Sequence, residues 1–147
     1  MKQLKKWQMI LVFPLKMFDL TILEDNILPV PLNKSELHSL AMNIAGKDLE
    51  KDNFEFISIN SSLEKNPQFV CTKNKQLYFI LVKAILYPEN PKTHKINNLS
   101  RILDHSKKFD AKLLCAKVGL ANSDDYELPL FKNSSYIVNY DGFEEIN

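Results

Sequence analysis

One apolar run constrains this chain more than any other feature: QLYFILVKAILY, residues 76–87, in which Lys83 is the only charged residue. A strand that is apolar on both sides must be covered on both sides, so this run belongs at the centre of a sheet. Pro88 and Pro91 end it, since proline cannot donate to a sheet ladder. From His94 to Phe109, residues Ile96, Leu99, Ile102, Leu103 and Ser106 fall on one helical stripe, with Lys95, Asn98, Arg101, His105 and Lys108 largely outside it. AKLLCAKVGLAN, residues 111–122, follows as a second buried strand. Strand, helix and strand in this order make a βαβ crossover. The two strands are then expected to be parallel and the connection right-handed.

The preceding segments extend the sheet. Asn33 and Glu36 have the spacing of a capping box. Leu37, Leu40, Ala41 and Ile44 follow at helical spacing, and Gly46 is the expected C′ residue of a helix over 34–46. FEFISIN, residues 54–60, reads as a strand, and Ser61–Pro67 as a loop. QFVCTK (68–73), an Asn74-Lys75 turn and the run from Gln76 form a hairpin. Phe54, Phe56, Phe69, Tyr78 and Phe79 are expected in the core rather than as base-stacking platforms. Tyr136–Tyr140 reads as a short last strand, with Asp141-Gly142 as a turn. The expected fold is therefore α/β: a single domain with an αβββαβ core order, a mixed central sheet and helices on both faces. Residues 1–32 are an N-terminal extension packed on the core, 33–122 the core, and 123–147 a C-terminal strand and acidic tail. Within the extension, residues 4–13 read as a strand or short helix able to pair with a sheet edge, and 14–32 as an extended segment.

The length of 147 residues suits one domain. Three widely separated glycines, Gly46, Gly119 and Gly142, exclude the glycine-rich phosphate loops GxGxxG and GxxxxGK. The formal net charge of +1 conceals blocks. Residues 92–117 carry seven basic groups against Asp104 and Asp110, whereas residues 118–147 carry six acids against Lys132. A basic helix can attract phosphate backbones, which makes Lys95, Arg101, Lys107 and Lys108 candidate nucleic-acid contacts. The plainer expectation is a solvated helix face, with Arg101 and Asp104 paired at i,i+3. Cys71 and Cys115 lie in apolar stretches without a CxxC motif or a neighbouring histidine, and read as buried free thiols. His38, His94 and His105 have no metal-ligand spacing, and no GxSxG elbow is present. The N-terminus has a basic start and the apolar run Trp7–Phe13, but no small-residue cleavage site follows and no stretch has the length of a membrane span. The expected location is cytoplasmic, with no membrane association.

The element order over residues 34–122, with the strings Asn66-Pro67-Gln68-Phe69-Val70 and Phe79-Ile80-Leu81-Val82-Lys83-Ala84, resembles the core of the restriction-endonuclease-like, or PD-(D/E)xK, superfamily. That pattern places an acid early in the hairpin and an acid-x-Lys triplet in the following strand. Lys83 matches the lysine, Gln68 stands where the first acid would be, and Leu81 stands at the second. Nuclease chemistry of this type uses carboxylates to hold a divalent cation, which activates water and stabilises the pentacoordinate phosphate. The resemblance thus implies a degenerate site, with Lys83 and Gln68 as its remnant, no cofactor, and a role as a nucleic-acid-associated or protein-interaction module. An alternative is an active magnesium-dependent nuclease in which Glu55 or Glu64 has taken over as a migrated acid. Another is a cone-shaped, small-ligand-binding α+β domain of nuclear-transport-factor type, which requires strand 111–122 to run antiparallel to strand 76–87. Lys83 itself is either a ligand-facing residue or a lysine snorkelling near its strand end.

Overall fold

The computed structural model describes residues 28–147 and, before them, the backbone of Lys5–Lys6. The expectations for the rest of residues 1–27 lie outside the described residues. The elements run β1 (Lys5–Lys6), α1 (Lys34–Lys51), β2 (Glu55–Ile59), β3 (Phe69–Lys73), β4 (Gln76–Leu86), a 3-10 turn (Pro91–Thr93), α2 (Leu99–Lys108), β5 (Ala111–Asn122), β6 (Tyr136–Asn139) and β7 (Phe143–Ile146). They form one mixed sheet in the order β1-β6-β5-β4-β3-β2, with β7 also paired to β5.

The expected crossover is present. β4 and β5 are parallel and in unbroken register from Leu77↔Ala111 to Leu86↔Leu120. This parallel ladder excludes the antiparallel arrangement that the cone-shaped fold requires. The β3–β4 hairpin turns at Asn74-Lys75, where both residues take positive φ (52° and 66°), as a two-residue primed turn demands.

The two faces of β4 pack in separate cores. On one side Ile80 and Val82 join Leu114, Ala116 and Val118 under α1, which contributes Leu37, Ala41, Met42, Ala45 and Leu49. On the other side Phe79 and Leu81 join Leu113 and Cys115, against Leu99, Ile102 and Leu103 of α2. Each fully buried aliphatic side chain contributes roughly 1.5–3 kcal/mol, so both helices are needed to cover a strand with no polar side. Phe54, Phe69 and Phe79 are buried, and Phe56 and Tyr78 half-buried, in agreement with a core role.

Several local expectations are corrected. Asn33 does cap α1, with reciprocal bonds from Glu36 N to Asn33 Oδ1 (2.8 Å) and from Asn33 N to Glu36 Oε1 (2.9 Å). The helix, however, continues past Gly46 to Lys51, and it is Asn53 that takes positive φ (65°). Gly46 is an interior residue lying against the Phe69 ring. α2 begins at Leu99 rather than His94, because Pro91–Thr93 form a separate turn and Asn98 enters the helix at φ 59°. The C-terminal tail adds a strand not anticipated, β7, which shares the outer edge of β5 with β6. Residues 30–32 are extended and bond to Leu130 and Lys132. Lys5 and Lys6 pair with β6 of the same chain.

Gly46 yields a test of sign. A true C′ glycine would resist replacement, whereas an interior helical glycine weakens its helix. A Cβ added at Gly46 would meet the Phe69 ring at 3.4 Å, an ordinary contact. Gly46→Ala should therefore stabilise the fold by about 0.5–1 kcal/mol, read as a higher urea midpoint.

Candidate functional site

Gln68, Leu81 and Lys83 lie where β3 enters the sheet beside β4. Leu81 and Lys83 are two residues apart on one strand and so share a face, the α2 face, given the packing of Leu81. Leu81 is fully buried there. Lys83 is half-buried, three residues from the strand end, and is in register with Lys117 of β5. Its ammonium makes no ion pair or hydrogen bond within the described residues, whereas Lys117 Nζ donates to His94 O (2.8 Å) and lies 3.9 Å from Glu144.

Gln68 is fully buried, and its carboxamide is used at both ends. Oε1 accepts from Val82 N (2.8 Å), while Nε2 donates to Lys65 O (2.8 Å) and Asn66 Oδ1 (3.1 Å). The side chain thus completes the ladder of β4 just beyond the end of β3 and ties the loop before it. A carboxylate could accept from Val82 but would face two acceptor oxygens with nothing to donate. The physical setting at this position asks for an amide.

The candidate migrated acids do not converge on this point. Glu55 is exposed and pairs with Thr72, which pairs with Leu77. Six strand residues separate Leu77 from Lys83, roughly 20 Å along the strand. A bulge lies between Phe56 and Ser58, and Ile57 and Ile59 are exposed together with Glu55. Glu64 is exposed in the 60–67 loop. Among the described residues, no group of three or more His, Cys, Asp or Glu side chains is arranged to hold a metal ion.

The basic residues are all on the surface. Lys95, Arg101, Lys107 and Lys108 are exposed, and none takes part in an ion pair within the described residues. The pairing expected between Arg101 and Asp104 does not form. His105 instead packs its ring against Phe79 and Phe109.

The cysteines occupy opposite sides of the sheet, Cys71 in the α1 core and Cys115 in the α2 core, and both are free. Burial pushes each thiol up to about 11, so neither is a nucleophile at neutral pH. His38, on α1, is buried, and its Nε2 has no hydrogen-bond partner among the described residues. Burial, and secondarily the Lys83 charge, lowers its pKa below the ordinary value of 6.5.

A feature the sequence reading missed lies beyond α2. At the carboxyl ends of β4 and β5 a groove of about 520 Å³ opens between the sheet and the loop from Tyr87 to Lys92, with Asn139 and Asp141 on its far side. The only sequence signal was the cluster Pro88-Glu89-Asn90-Pro91, which marks a loop too irregular to be replaced by helix.

Two outcomes follow from these placements. Gln68→Glu should lose about 2 kcal/mol at neutral pH and recover in acid, because the introduced carboxylate can donate only when protonated. Urea midpoints measured between about pH 4 and 7 check this, since the ordinary glutamate pKa lies near 4.3. For His38 the unfolded chain binds its proton at a higher pH than the folded chain does, so stability is lost as pH falls below 6.5. His38→Leu should abolish that part of the slope without loss of stability at neutral pH, as it removes an unpartnered polar atom.

The described residues contain no helix long and apolar enough to cross a membrane. No curated protein matches the chain, and no solved structure does. Residues 35–146, from α1 through β7, match the model of a protein family described as a domain of unknown function, DUF8840, and the chain belongs to that family.

Proposed function

We propose that this domain is a non-catalytic module of restriction-endonuclease-like architecture that binds nucleic acid through the α2 side. The observation that carries the non-catalytic part is the state of positions 68 and 81. One holds an amide committed at both ends to the fold, and the other a leucine sealed beneath α2. A cation at this point would lack the two carboxylates that such hydrolysis requires, and Lys83 alone supplies no activated water. Lys83 would then serve as a positive charge near the parallel strand ends rather than as part of a cutting site.

The binding part rests on Lys95, Arg101, Lys107 and Lys108, which stand exposed and have no acidic partner among the described residues. Cations free of intramolecular pairing can release counterions from a phosphate backbone. With a single arginine in the chain, the surface is suited to backbone contact more than to base readout.

Fluorescence anisotropy with labelled single- and double-stranded DNA and RNA tests this reading. Affinity should fall steeply with salt, with a log–log slope of about −3 for three to four phosphate contacts. Lys107→Glu/Lys108→Glu should weaken binding by at least tenfold, about 1.4 kcal/mol or more, at unchanged melting temperature. Absence of binding at low salt would leave these residues as a solvated helix face and sink the nucleic-acid reading. Cleavage of DNA or RNA with Mg²⁺ or Mn²⁺ by the purified chain, lost in Glu55→Gln or Glu64→Gln, would instead establish the nuclease alternative.

A further inference from the structure

We propose that the groove at the carboxyl ends of β4 and β5 binds a free α-amino acid with a bulky apolar side chain. The site is distinct from the proposed nucleic-acid surface and does not depend on it.

The groove exists because two lengths do not match. α2 has ten residues and so spans about 15 Å, while β4 and β5 have 11 and 12 residues and span nearly 40 Å. The helix covers Phe79, Leu81, Leu113 and Cys115, and among the described residues no helix covers the upper part of the same face. There Ile85, Gly119, Ala121 and Ile137 form an apolar floor. Among the described residues, the loop from Tyr87 to Lys92 provides the cover, anchored where Pro91 rests on Gly119. A Cβ at Gly119 would fall 2.6 Å from Pro91 Cγ and 2.9 Å from Asn139 O, so glycine is required for this close seat. A volume of about 520 Å³ falls in the range of small-molecule sites. Open α/β sheets take ligands at this end of their parallel strands.

The charges around the groove select the ligand. A smaller extension of about 270 Å³ shares Pro91, Lys92, Asn139 and Asp141 and continues to Lys117 and Glu144. Its ions come in opposite pairs, Lys92 with Asp141 at 3.2 Å and Lys117 with Glu144 at 3.9 Å. A molecule with one charge would engage one member of a pair and repel the other. An ammonium and a carboxylate on the same carbon complement both signs at once. The Asn139 carboxamide makes no hydrogen bond within the described residues and sits where the two compartments meet. It offers a donor to a carboxylate and an acceptor to an ammonium. The apolar side chain would lie on Ile85, Ala121 and Ile137, beside Tyr87, whose ring is held edge-on by Tyr126 with centroids 5.1 Å apart. A nucleotide fits less well, because Glu89, Asp141 and Glu144 outnumber Lys92 and Lys117 around its phosphate.

The test is an amide-detected NMR titration of the full chain with L-phenylalanine, phenethylamine, 3-phenylpropionate and adenosine monophosphate. L-Phenylalanine should produce saturable shifts at Gly119, Ala121 and Asn139, and each analogue carrying only one of the two charges should bind at least about tenfold more weakly. Asp141→Asn and Lys92→Gln alter side chains that are 68% and 70% exposed. Each should weaken L-phenylalanine about tenfold with the melting temperature unchanged. The proposal is overturned by the absence of saturable shifts with L-phenylalanine at millimolar concentration. It is equally overturned if phenethylamine or 3-phenylpropionate binds as well as the zwitterion, or if the nucleotide binds more tightly.

Discussion

The parallel ladder between β4 and β5 is the constraint on which the rest of the molecule depends. It runs unbroken from Leu77↔Ala111 to Leu86↔Leu120, and both strands are covered on both sides. A parallel pair needs a crossover, and the crossover carries α2 onto one face. The opposite face must be covered by something that precedes the pair in sequence, and α1 does this with a capped helix of 18 residues. The outer edge of β5 is then closed by β6 and β7, and the other edge of β4 by β3 and β2. Changing the direction of this one ladder would move every other element.

The same ladder creates both places of chemical interest. Beside its middle, Gln68 supplies through its side chain the acceptor that β3 no longer provides to Val82. That substitution of side chain for backbone explains why an amide stands at a position where the resemblance leads one to look for an acid. Beyond its upper end, the strands outrun α2, and the loop that must return the chain to the helix bridges the difference. The groove is the space left by that bridge. Tyr140, whose hydroxyl donates to Asp48 Oδ2 at 3.0 Å, ties the C-terminal strands back to α1. Burial and the Asp48 charge push its pKa well above the ordinary tyrosine value, so the phenol remains a donor across the usual pH range.

Much of this was legible in residue order. The apolar run of β4, the stripe of α2 and the apolar β5 require a parallel crossover whatever else the chain does. The Asn33–Glu36 box and the Asn74-Lys75 turn act through neighbouring residues and were equally visible. Gly46 was misleading because a glycine near the end of a helical pattern has two explanations. It can supply positive φ at the helix end, or it can simply sit in the helix interior, as here, where it lies beside the Phe69 ring with room for a Cβ. The start of α2 was misplaced because an apolar residue such as Ile96 packs into the core from the segment before the helix as readily as from within it. β7 escaped notice because Phe143–Ile146 is short and carries two acids. It is a strand only because β5 offers it an edge.

Local sequence therefore settles the central strand, the crossover and the caps, since those follow from periodicity and from hydrogen bonds between near neighbours. Residue types alone also establish that positions 68 and 81 carry no acids. Three-dimensional packing settles what those positions do instead, because burial and partner atoms come from residues far apart in the chain. It likewise settles that Glu55 is remote from Lys83 and that the basic residues of the α2 region have no ion-pair partner among the described residues. The groove belongs wholly to this second class. It arises from a difference in length between a helix and the strands beneath it, and no single segment of sequence contains that difference.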